Sequence, residues 1–398
     1  MNKKLGLAVA GALVAFSSAA NAGITLPAGD WTVDIGGNVN AFYQHTTGTG
    51  VTSTNTINTG LLPAALGIGA KTRQNDLDVA FQFTFFTGTD STNNALSAGA
   101  HGYGNNAALG MNSLNIRQAF MSVGDASWGS FKIGRDLGVY ESDAILSDMT
   151  LLGVGTPAGG GNTTLGRIGF GYLYADWKTQ LQYSTPNFNG FQVTVALDSP
   201  WQASGANGAV GETLGANNNK DMGFEGKATY DFAANDATGR VWVGGISQKV
   251  NAGAGTTAAP TTAASFTANG WDIGGKVAYA GAELVASYYS GEGIGRTGFL
   301  LGAYDLGASN KTKSDGYYVQ GTYKLPGVGT KLGASYGESN LQTSVGEDQN
   351  NSWIVGAYHP LTKSVNLVAE YNYAKNEGSA VAVSTTTKTV SLGAIMFF

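Results

Sequence analysis

The 398-residue sequence contains no cysteine, three histidines and only 8 prolines. Without cysteine the chain cannot form disulfides, and it lacks the thiolate ligands of most structural zinc sites. The three histidines do not stand near carboxylates at metal-ligand spacing, and a serine nucleophile would have to take its base from among them. The sequence therefore predicts no metal site, no cofactor and no enzymatic activity.

Charge and long hydrophobic runs are also scarce. Charged residues make up 12% of the chain, with 22 basic against 27 acidic side chains. No basic stripe suits nucleic acid, so we expect no nucleic-acid partner. No apolar run reaches about 18 residues, the length at which a transmembrane helix would be predicted.

The first 22 residues, MNKKLGLAVAGALVAFSSAANA, combine two lysines, a short apolar run and an end of small residues. This pattern is typical of a secretory signal peptide. We therefore expect residues 1–22 to be cleaved and residues 23–398 to form the exported domain.

Alternation of apolar and polar residues is abundant. In NDLDVAFQFTFF the residues Leu77, Val79, Phe81, Phe83 and Phe85 are separated by mostly polar ones. Such alternation predicts β-strands with one apolar and one wet face. A soluble β-sandwich would show the same alternation, so the pattern by itself does not decide between a soluble and a membrane protein.

Three features favour a transmembrane barrel of the outer-membrane type. The strands are long, aromatic residues cluster near their ends, and short turns such as TPNFNG alternate with long Gly-, Ala- and Thr-rich connections. A bilayer also forbids open sheet edges, so the strands must close. The sequence thus predicts an all-β, 16-stranded antiparallel transmembrane β-barrel with an aqueous lumen. The expected strands are residues 30–44, 65–73, 77–87, 113–124, 129–137, 175–185, 190–198, 220–232, 239–249, 270–280, 282–290, 315–324, 330–338, 351–359, 364–375 and 387–398.

The last nine residues, VSLGAIMFF, belong to the final strand. Val390, Leu392, Ala394, Met396 and Phe398 share one face, which suits contact with lipid. We expect this strand to close the barrel against the first strand, with Phe398 at the membrane interface.

Several segments of the sequence carry a family resemblance: NIRQAFMSVG, WGSFKIGRDLGVYESDAILSDM, ALGIGAKTRQNDLDVAFQF, YSTPNFNGFQV and the terminal phenylalanine. In their order and spacing they resemble the general porins of Gram-negative outer membranes, in the betaproteobacterial branch. The resemblance covers residues 23–398 at the level of strands and turns. It implies a homotrimer of sixteen-stranded barrels among outer-membrane lipids, which passes ions and small hydrophilic solutes by passive diffusion. It also implies an inward-folded third loop that narrows each pore.

The third loop would be the connection 138–165, which contains the carboxylates Glu141, Asp143 and Asp148. A connection of this length is usually either functional or disordered. Its centre, AILSDMTLL, is too apolar for a freely solvated loop. We therefore expect it to pack inside the lumen as a constriction, with a surface loop as the alternative.

Basic residues on the wall opposite an acidic loop would create a transverse field across the pore. Arg117 is expected to face inward because Leu114, Ile116 and Phe120 would face lipid, and Lys132 has inward parity on the next strand. For each candidate, an ordinary solvated lumen position is the alternative. The candidate basic residues of the constriction are Arg117, Lys132, Arg167 and Lys178.

Arg135 has outward parity. A charged arginine that faces lipid near the membrane midplane costs about 2–4 kcal/mol, so either a strand end or a neighbouring subunit must relieve this cost. Because the resemblance implies a trimer, we expect Arg135 in the subunit interface rather than in the pore.

Ion preference and solute range are less constrained by the sequence. Counted by parity, inward carboxylates outnumber inward basic residues, which favours cations. Two alternatives to a general diffusion channel stay open: a substrate-selective porin, and a structural or adhesive barrel whose loops bind a partner. The loops are poor in aromatic anchors, which favours the channel.

Overall fold

The computed structural model describes residues 23–88, 114–157, 163–202, 219–252, 264–305, 308–378 and 384–398. The predicted signal peptide, residues 1–22, lies outside these ranges. Within them, no helix is both long enough and apolar enough to cross a membrane.

Sixteen long strands form a closed antiparallel barrel, as predicted. They are β2 (Trp31–Thr49), β4 (Ala64–Gln74), β5 (Leu77–Thr87), β6 (Asn115–Asp125), β7 (Gly129–Leu137), β8 (Trp177–Ser184), β9 (Phe191–Asp198), β10 (Gly223–Ala234), β11 (Ala237–Ala252), β12 (Ala264–Tyr279), β13 (Ala282–Glu292), β16 (Lys313–Lys324), β17 (Lys331–Thr343), β18 (Gly346–Pro360), β19 (Val365–Gly378) and β20 (Thr385–Phe397). Four short strands accompany them: β1 (Ile24–Ala28), β3 (Thr54–Asn58), β14 (Tyr304–Asp305) and β15 (Asn310–Lys311). Each long strand pairs with the long strands before and after it, which leaves the wall without a long free edge.

The barrel closes between its last and first long strands. β20 pairs antiparallel with β2 over most of its length. Phe398 extends this pairing: its N–H donates to the Gly37 carbonyl at 3.1 Å, and its carbonyl accepts from the Gly37 N–H at 2.9 Å. Beyond Phe398, β1 pairs with the start of β2 and takes the position beside β2 that β20 occupies further along the strand.

The two faces of the wall separate by residue type. On β5, Phe81 and Phe83 are exposed, whereas Gln82 and Thr84 between them are buried. Exposed apolar side chains form the outer, lipid-facing surface, and polar side chains point to the interior. This arrangement follows directly from the period of two that the sequence shows.

A β-bulge interrupts the pairing of β5 with β6. The register shifts between Thr84 and Phe85, so Arg117 is an extra residue on β6. Arg117 and its neighbour Gln118 are both buried. A bulge places two successive residues opposite one, and here it turns both polar side chains to the interior.

The bulge also changes the parity of β6. Ile116, before the bulge, and Met121, after it, are both exposed. The expectation that Phe120 faces lipid is therefore wrong. Phe120 lies on the interior side, where the Lys132 Nζ is 5.1 Å from the centre of its ring.

Short turns lie at one end of the barrel and the longest connections at the other, as expected. The turn between β4 and β5 uses Asn75 and Asp76 with φ of 49° and 60°, values typical of a two-residue hairpin turn. Several strands run further towards the long connections than predicted, since β11 ends at Ala252 and β12 begins at Ala264. The alternation of apolar and polar residues, from which the strands were predicted, stops at the edge of the apolar band. The backbone hydrogen bonds between strands do not depend on this alternation and continue beyond it.

Candidate functional site

The connection between β7 and β8, residues 138–176, carries the predicted acidic residues. It contains the short helix α1 (Ser142–Leu146) and a 3-10 turn (Met149–Leu152). Asp148 accepts from the Thr150 N–H at 2.9 Å and from the Tyr172 hydroxyl at 2.8 Å. Both carboxylate oxygens of Asp148 accept hydrogen bonds from other residues of the connection, so Asp148 stabilises the conformation of this segment.

A carboxylate of the barrel interior binds the start of this connection. Glu225 on β10 accepts from the backbone N–H groups of Val139 and Tyr140, the latter at 2.9 Å. It also forms an ion pair with Lys178 on β8. These contacts of Glu225 fix the segment where it leaves β7.

A second interior carboxylate binds the middle of the connection. Glu370 on β19 accepts from the N–H groups of Val154 and Gly155 at 2.9 and 2.7 Å, and from the Tyr358 hydroxyl at 2.7 Å. A Cβ on Gly153 would lie 2.0 Å from the Glu370 carboxylate. Only glycine permits this approach, so the GVG sequence at 153–155 is matched to Glu370.

The return of the connection is held by a buried arginine. Arg167 is fully buried, and its guanidinium donates to the hydroxyls of Ser335 on β17 and Ser352 on β18. Burial lowers the pKa of Arg167 to about 10, although the negative charge of Asp148 acts in the other direction and raises it. Arg167 therefore remains charged at neutral pH and attaches the connection to the wall.

A second connection also packs against the interior wall, which we did not predict from the sequence. Residues 293–303, between β13 and β14, supply the apolar run GFLLGA to a buried cluster. The cluster consists of Tyr140, Leu173, Ile246, Val250, Ala268, Tyr289, Ile294, Phe299, Leu300 and Ala303. It joins both connections to the interior side of β11, β12 and β13 as one apolar body.

A cavity of about 540 Å³ remains beside this body, bordered by strands from β5 to β12. Its charged lining comprises five basic residues and three carboxylates: Arg117, Lys132, Lys227, Arg240, Lys276, Asp136, Asp143 and Asp176. Uncharged polar side chains of the strands and apolar side chains from α1 and its neighbours complete the lining. Positive side chains thus outnumber negative ones around the cavity.

Asp143 on α1 joins the two basic residues of β10 and β11. Its carboxylate lies 2.6 Å from the Lys227 Nζ and 3.0 Å from the Arg240 Nη1. Arg240 also binds both oxygens of Asp231, at 2.6 and 2.7 Å. Burial raises the pKa of Asp143, but the two cations outweigh burial and lower it overall. Asp143 is therefore ionised at neutral pH and neutralises part of the basic wall.

The seven predicted constriction residues fall into two groups. Arg117, Lys132 and Asp143 line the cavity. The other four are at most 4% exposed and lie outside its lining: Glu141, Asp148, Arg167 and Lys178. Three of these four lie in the connection itself, where strand parity makes no prediction. Lys178 on β8 lies against the second connection, with its Nζ 5.0 Å from the centre of the Phe299 ring.

Three further basic residues of the lining, Lys227, Arg240 and Lys276, were absent from the predicted constriction set. Each has interior parity on β10, β11 or β12. The predicted excess of inward carboxylates does not reach the cavity, because Glu225 and Glu370 bind loop backbone. The balance of charge at the cavity is therefore opposite to the balance counted from the sequence.

Arg135 lies on the outward face of β7 with Phe131 and Ile133, which are 49% and 47% exposed. Its own side chain is half-buried. Its position in a subunit interface stays a prediction.

Glu141 precedes α1 with a left-handed backbone, φ 61°, and its side chain is 1% exposed. Burial, followed by the negative charge of Asp272, raises the pKa of Glu141 well above its usual range. In the folded protein Glu141 therefore keeps its proton at a pH where an exposed glutamate has lost it.

Replacing Glu141 with glutamine should stabilise the folded barrel more at pH 8 than at pH 5. An unfolded glutamate titrates near pH 4.3. Because the folded protein holds this proton to higher pH, wild-type stability falls as the pH rises above that value. Glutamine is neutral at every pH, so the variant does not lose folding stability in this way as the pH rises. The measurement is the temperature of barrel unfolding in detergent, with the exposed Glu347→Gln as control. An equal gain at both pH values would contradict the assignment.

The family model described as Gram-negative porin matches residues 8–379. A comparison with curated protein sequences finds no match. Among solved structures, the outer membrane channel DcaP of Acinetobacter baumannii is similar with a TM-score of 0.64 and 14% identity, covering 94% of this chain and 99% of that one.

Two further solved structures are similar. The anion-selective porin from Comamonas acidovorans has a TM-score of 0.62 and 15% identity, with 92% of this chain and 100% of that chain covered. The trimer form of OmpT, an outer membrane protein of Vibrio cholerae, has a TM-score of 0.57 and 17% identity, with 92% and 99% covered. At these identities the structures show a shared fold.

A closed sixteen-stranded barrel with an apolar outside and a polar, partly open interior defines an outer-membrane channel protein. The match over nearly the whole chain makes the identification specific: the chain belongs to the Gram-negative porin family. It is a channel of the outer membrane for the passive diffusion of small solutes.

Proposed function

We propose that this porin is a general diffusion channel that prefers anions, and that the connection 138–165 folds into the lumen and narrows it. The observation that carries the proposal is the cavity lining, with five basic residues against three carboxylates. Two of the carboxylates, Asp136 and Asp143, are already paired with lysine. Fixed charge of one sign at a narrow point attracts counter-ions and repels co-ions.

The placement of the loop rests on its wall contacts. Besides Glu225 and Glu370, the Tyr318 hydroxyl donates to the Ala144 carbonyl at 2.8 Å, and the Gln320 side chain accepts from the Met149 N–H at 2.7 Å. These wall residues come from widely separated strands, all on the interior side. A segment tied to opposite walls in this way would cross the lumen.

The proposed assembly is a homotrimer in which Arg135 lies between subunits. Its support is the outward parity of Arg135 within an otherwise apolar row, together with the trimer form of OmpT from Vibrio cholerae, which has a similar fold. Covering Arg135 with a neighbouring subunit would avoid the cost of placing its charge against lipid. The proposal assigns the chain transport and no catalysis, as expected for a porin.

The test is conduction through the purified protein in a planar bilayer. In a potassium chloride gradient the reversal potential should have the sign of chloride preference, and each current step should close in three equal decrements. A reversal potential of potassium sign would overturn the anion preference. Closure in one step would overturn the trimer, because a trimer contains three separate pores.

A further inference from the structure

Arg117 is the one basic residue of the described cavity lining that is buried. It is 7% exposed, and its guanidinium carbon lies 4.8 Å from the centre of the Phe86 ring and 5.8 Å from that of Trp177. The Trp177 indole N–H is in turn fixed by the Tyr174 hydroxyl at 2.8 Å. Cation–π contact of this kind holds a guanidinium in place without using its N–H donors.

Those donors have no protein acceptor in the part of the chain that the structure describes. The Arg117 side chain forms no ion pair and no hydrogen bond there, and neither does the half-buried Lys276, whereas Lys132, Lys227 and Arg240 all pair with carboxylates. An arginine more than nine-tenths buried normally satisfies its five donors. Because Arg117 lines the cavity, its free donors are available to a solute there.

Apolar side chains stand among the charged and uncharged polar residues of the same cavity lining. Leu146, on α1, is 42% exposed and lies in the lining. Further apolar residues of the lining are Leu61, Leu62, Leu137, Ile145, Leu151 and Leu165. Ligand sites commonly combine an apolar lining with a few placed polar groups. A bare inorganic anion would use only the arginine and leave this surface without a partner.

We propose that Arg117 and the apolar lining form a binding subsite for organic monocarboxylates that carry a ring or a branched apolar body. The carboxylate binds the guanidinium in the two-pronged geometry that arginine offers. The apolar body of the solute lies against the leucines of the cavity lining, among which Leu146 is the exposed one. The subsite rests on the proposed anion-preferring channel and adds a solute class to it.

The test measures chloride current through wild-type channels while benzoate or acetate is added at constant ionic strength. Benzoate should reduce the current in a saturable way, and acetate, which has the carboxylate without the ring, should reduce it much less. Arg117→Gln should raise the half-saturating benzoate concentration by about tenfold or more, and Arg117→Lys, which keeps the charge but not the two-pronged donor, should fall between. Leu146→Ser should weaken benzoate binding without a change of charge.

Lys71→Gln is the matched control, because it removes one positive charge from the interior of β4 where Lys71 pairs with Asp34, outside the cavity. Equal effects of benzoate and acetate, or an unchanged benzoate response in Arg117→Gln, would overturn the subsite even if chloride preference holds. A wild-type preference for potassium would instead overturn the proposed function. Folding of each variant is checked by its heat-dependent shift in gel electrophoresis, and Leu146→Ser leaves the proposal testable if Arg117→Gln does not fold.

Discussion

The double variant Lys227→Gln, Arg240→Gln should lose the chloride preference of the channel, with a reversal potential that falls to zero or changes sign. The two cations lie on adjacent strands and both contact Asp143. Without them, Asp143 and Asp231 remain as uncompensated carboxylates beside the cavity. Two unit charges a few ångströms apart interact by several kcal/mol at an effective dielectric constant of about 20, so the local potential should invert.

A control of equal net charge separates this local effect from the charge of the whole protein. Lys313→Gln with Lys324→Gln also removes two cations, but both of these lysines are exposed at the ends of β16. This control should keep the wild-type reversal potential. The difference between the two variants should shrink as salt rises, because the screening length falls from about 10 Å at 0.1 M to about 3 Å at 1 M. Persistent chloride preference in the Lys227, Arg240 variant would show that other residues set the selectivity.

The barrel itself could be predicted from the sequence because each spanning strand lies between the same two environments. Its outer side chains meet lipid and its inner ones meet water, so the alternation is repeated in all sixteen strands. Strand ends were less predictable, as β18 shows: it begins at Gly346, whereas we expected residue 351. Outside the apolar band both faces are polar, and the period of two disappears while the ladder continues.

The site could be predicted only in part, because parity gives direction and not depth. Lys178 and Lys132 both point inward, yet Lys178 is 3% exposed beneath the second connection and Lys132 borders the cavity. Which interior residue meets water depends on where the long connections pack, and that is a matter of tertiary contact. The parity argument for Arg117 applies through its neighbour Ile116, which is exposed, but it fails beyond the bulge, where Phe120 lies on the interior side.

The second connection illustrates a signal that was present in the sequence. The apolar centre of 138–165 led us to expect packing inside the lumen, and FLL at 299–301 offers the same argument in a Gly-rich setting. Phe299, Leu300 and Ile294 are all nearly or fully buried. An apolar run inside a long connection of a barrel therefore predicts that the connection packs away from water, because exposing apolar surface to water is unfavourable.

The variant Ile294→Ala, Phe299→Ala, Leu300→Ala should increase single-channel conductance by about twofold, since conductance follows the width of the open path. Each substitution removes a buried side chain at a cost of about 2–5 kcal/mol. The three together outweigh the hydrogen bonds, worth about 1 kcal/mol each, that hold this connection, such as those from the Ser314 and Thr312 hydroxyls to the Gly295 and Gly302 carbonyls. The barrel should stay folded, because the hydrogen-bonded ladder between β13 and β16 does not involve these side chains. The freed connection would then leave its place against β11 to β13 and widen the lumen.

Release of the connection can be measured separately from conductance, because Arg296 lies within it and offers a trypsin site. Trypsin should cut the folded triple variant after Arg296 much faster than the wild type. As a control, Leu284→Ala, Val319→Ala, Leu332→Ala removes three apolar side chains of the outer face, which are 62%, 48% and 44% exposed, and should leave conductance unchanged. If trypsin cuts at Arg296 in the triple variant while conductance stays at the wild-type value, then residues 293–303 do not limit the pore, and the constriction is set by the connection 138–165 alone.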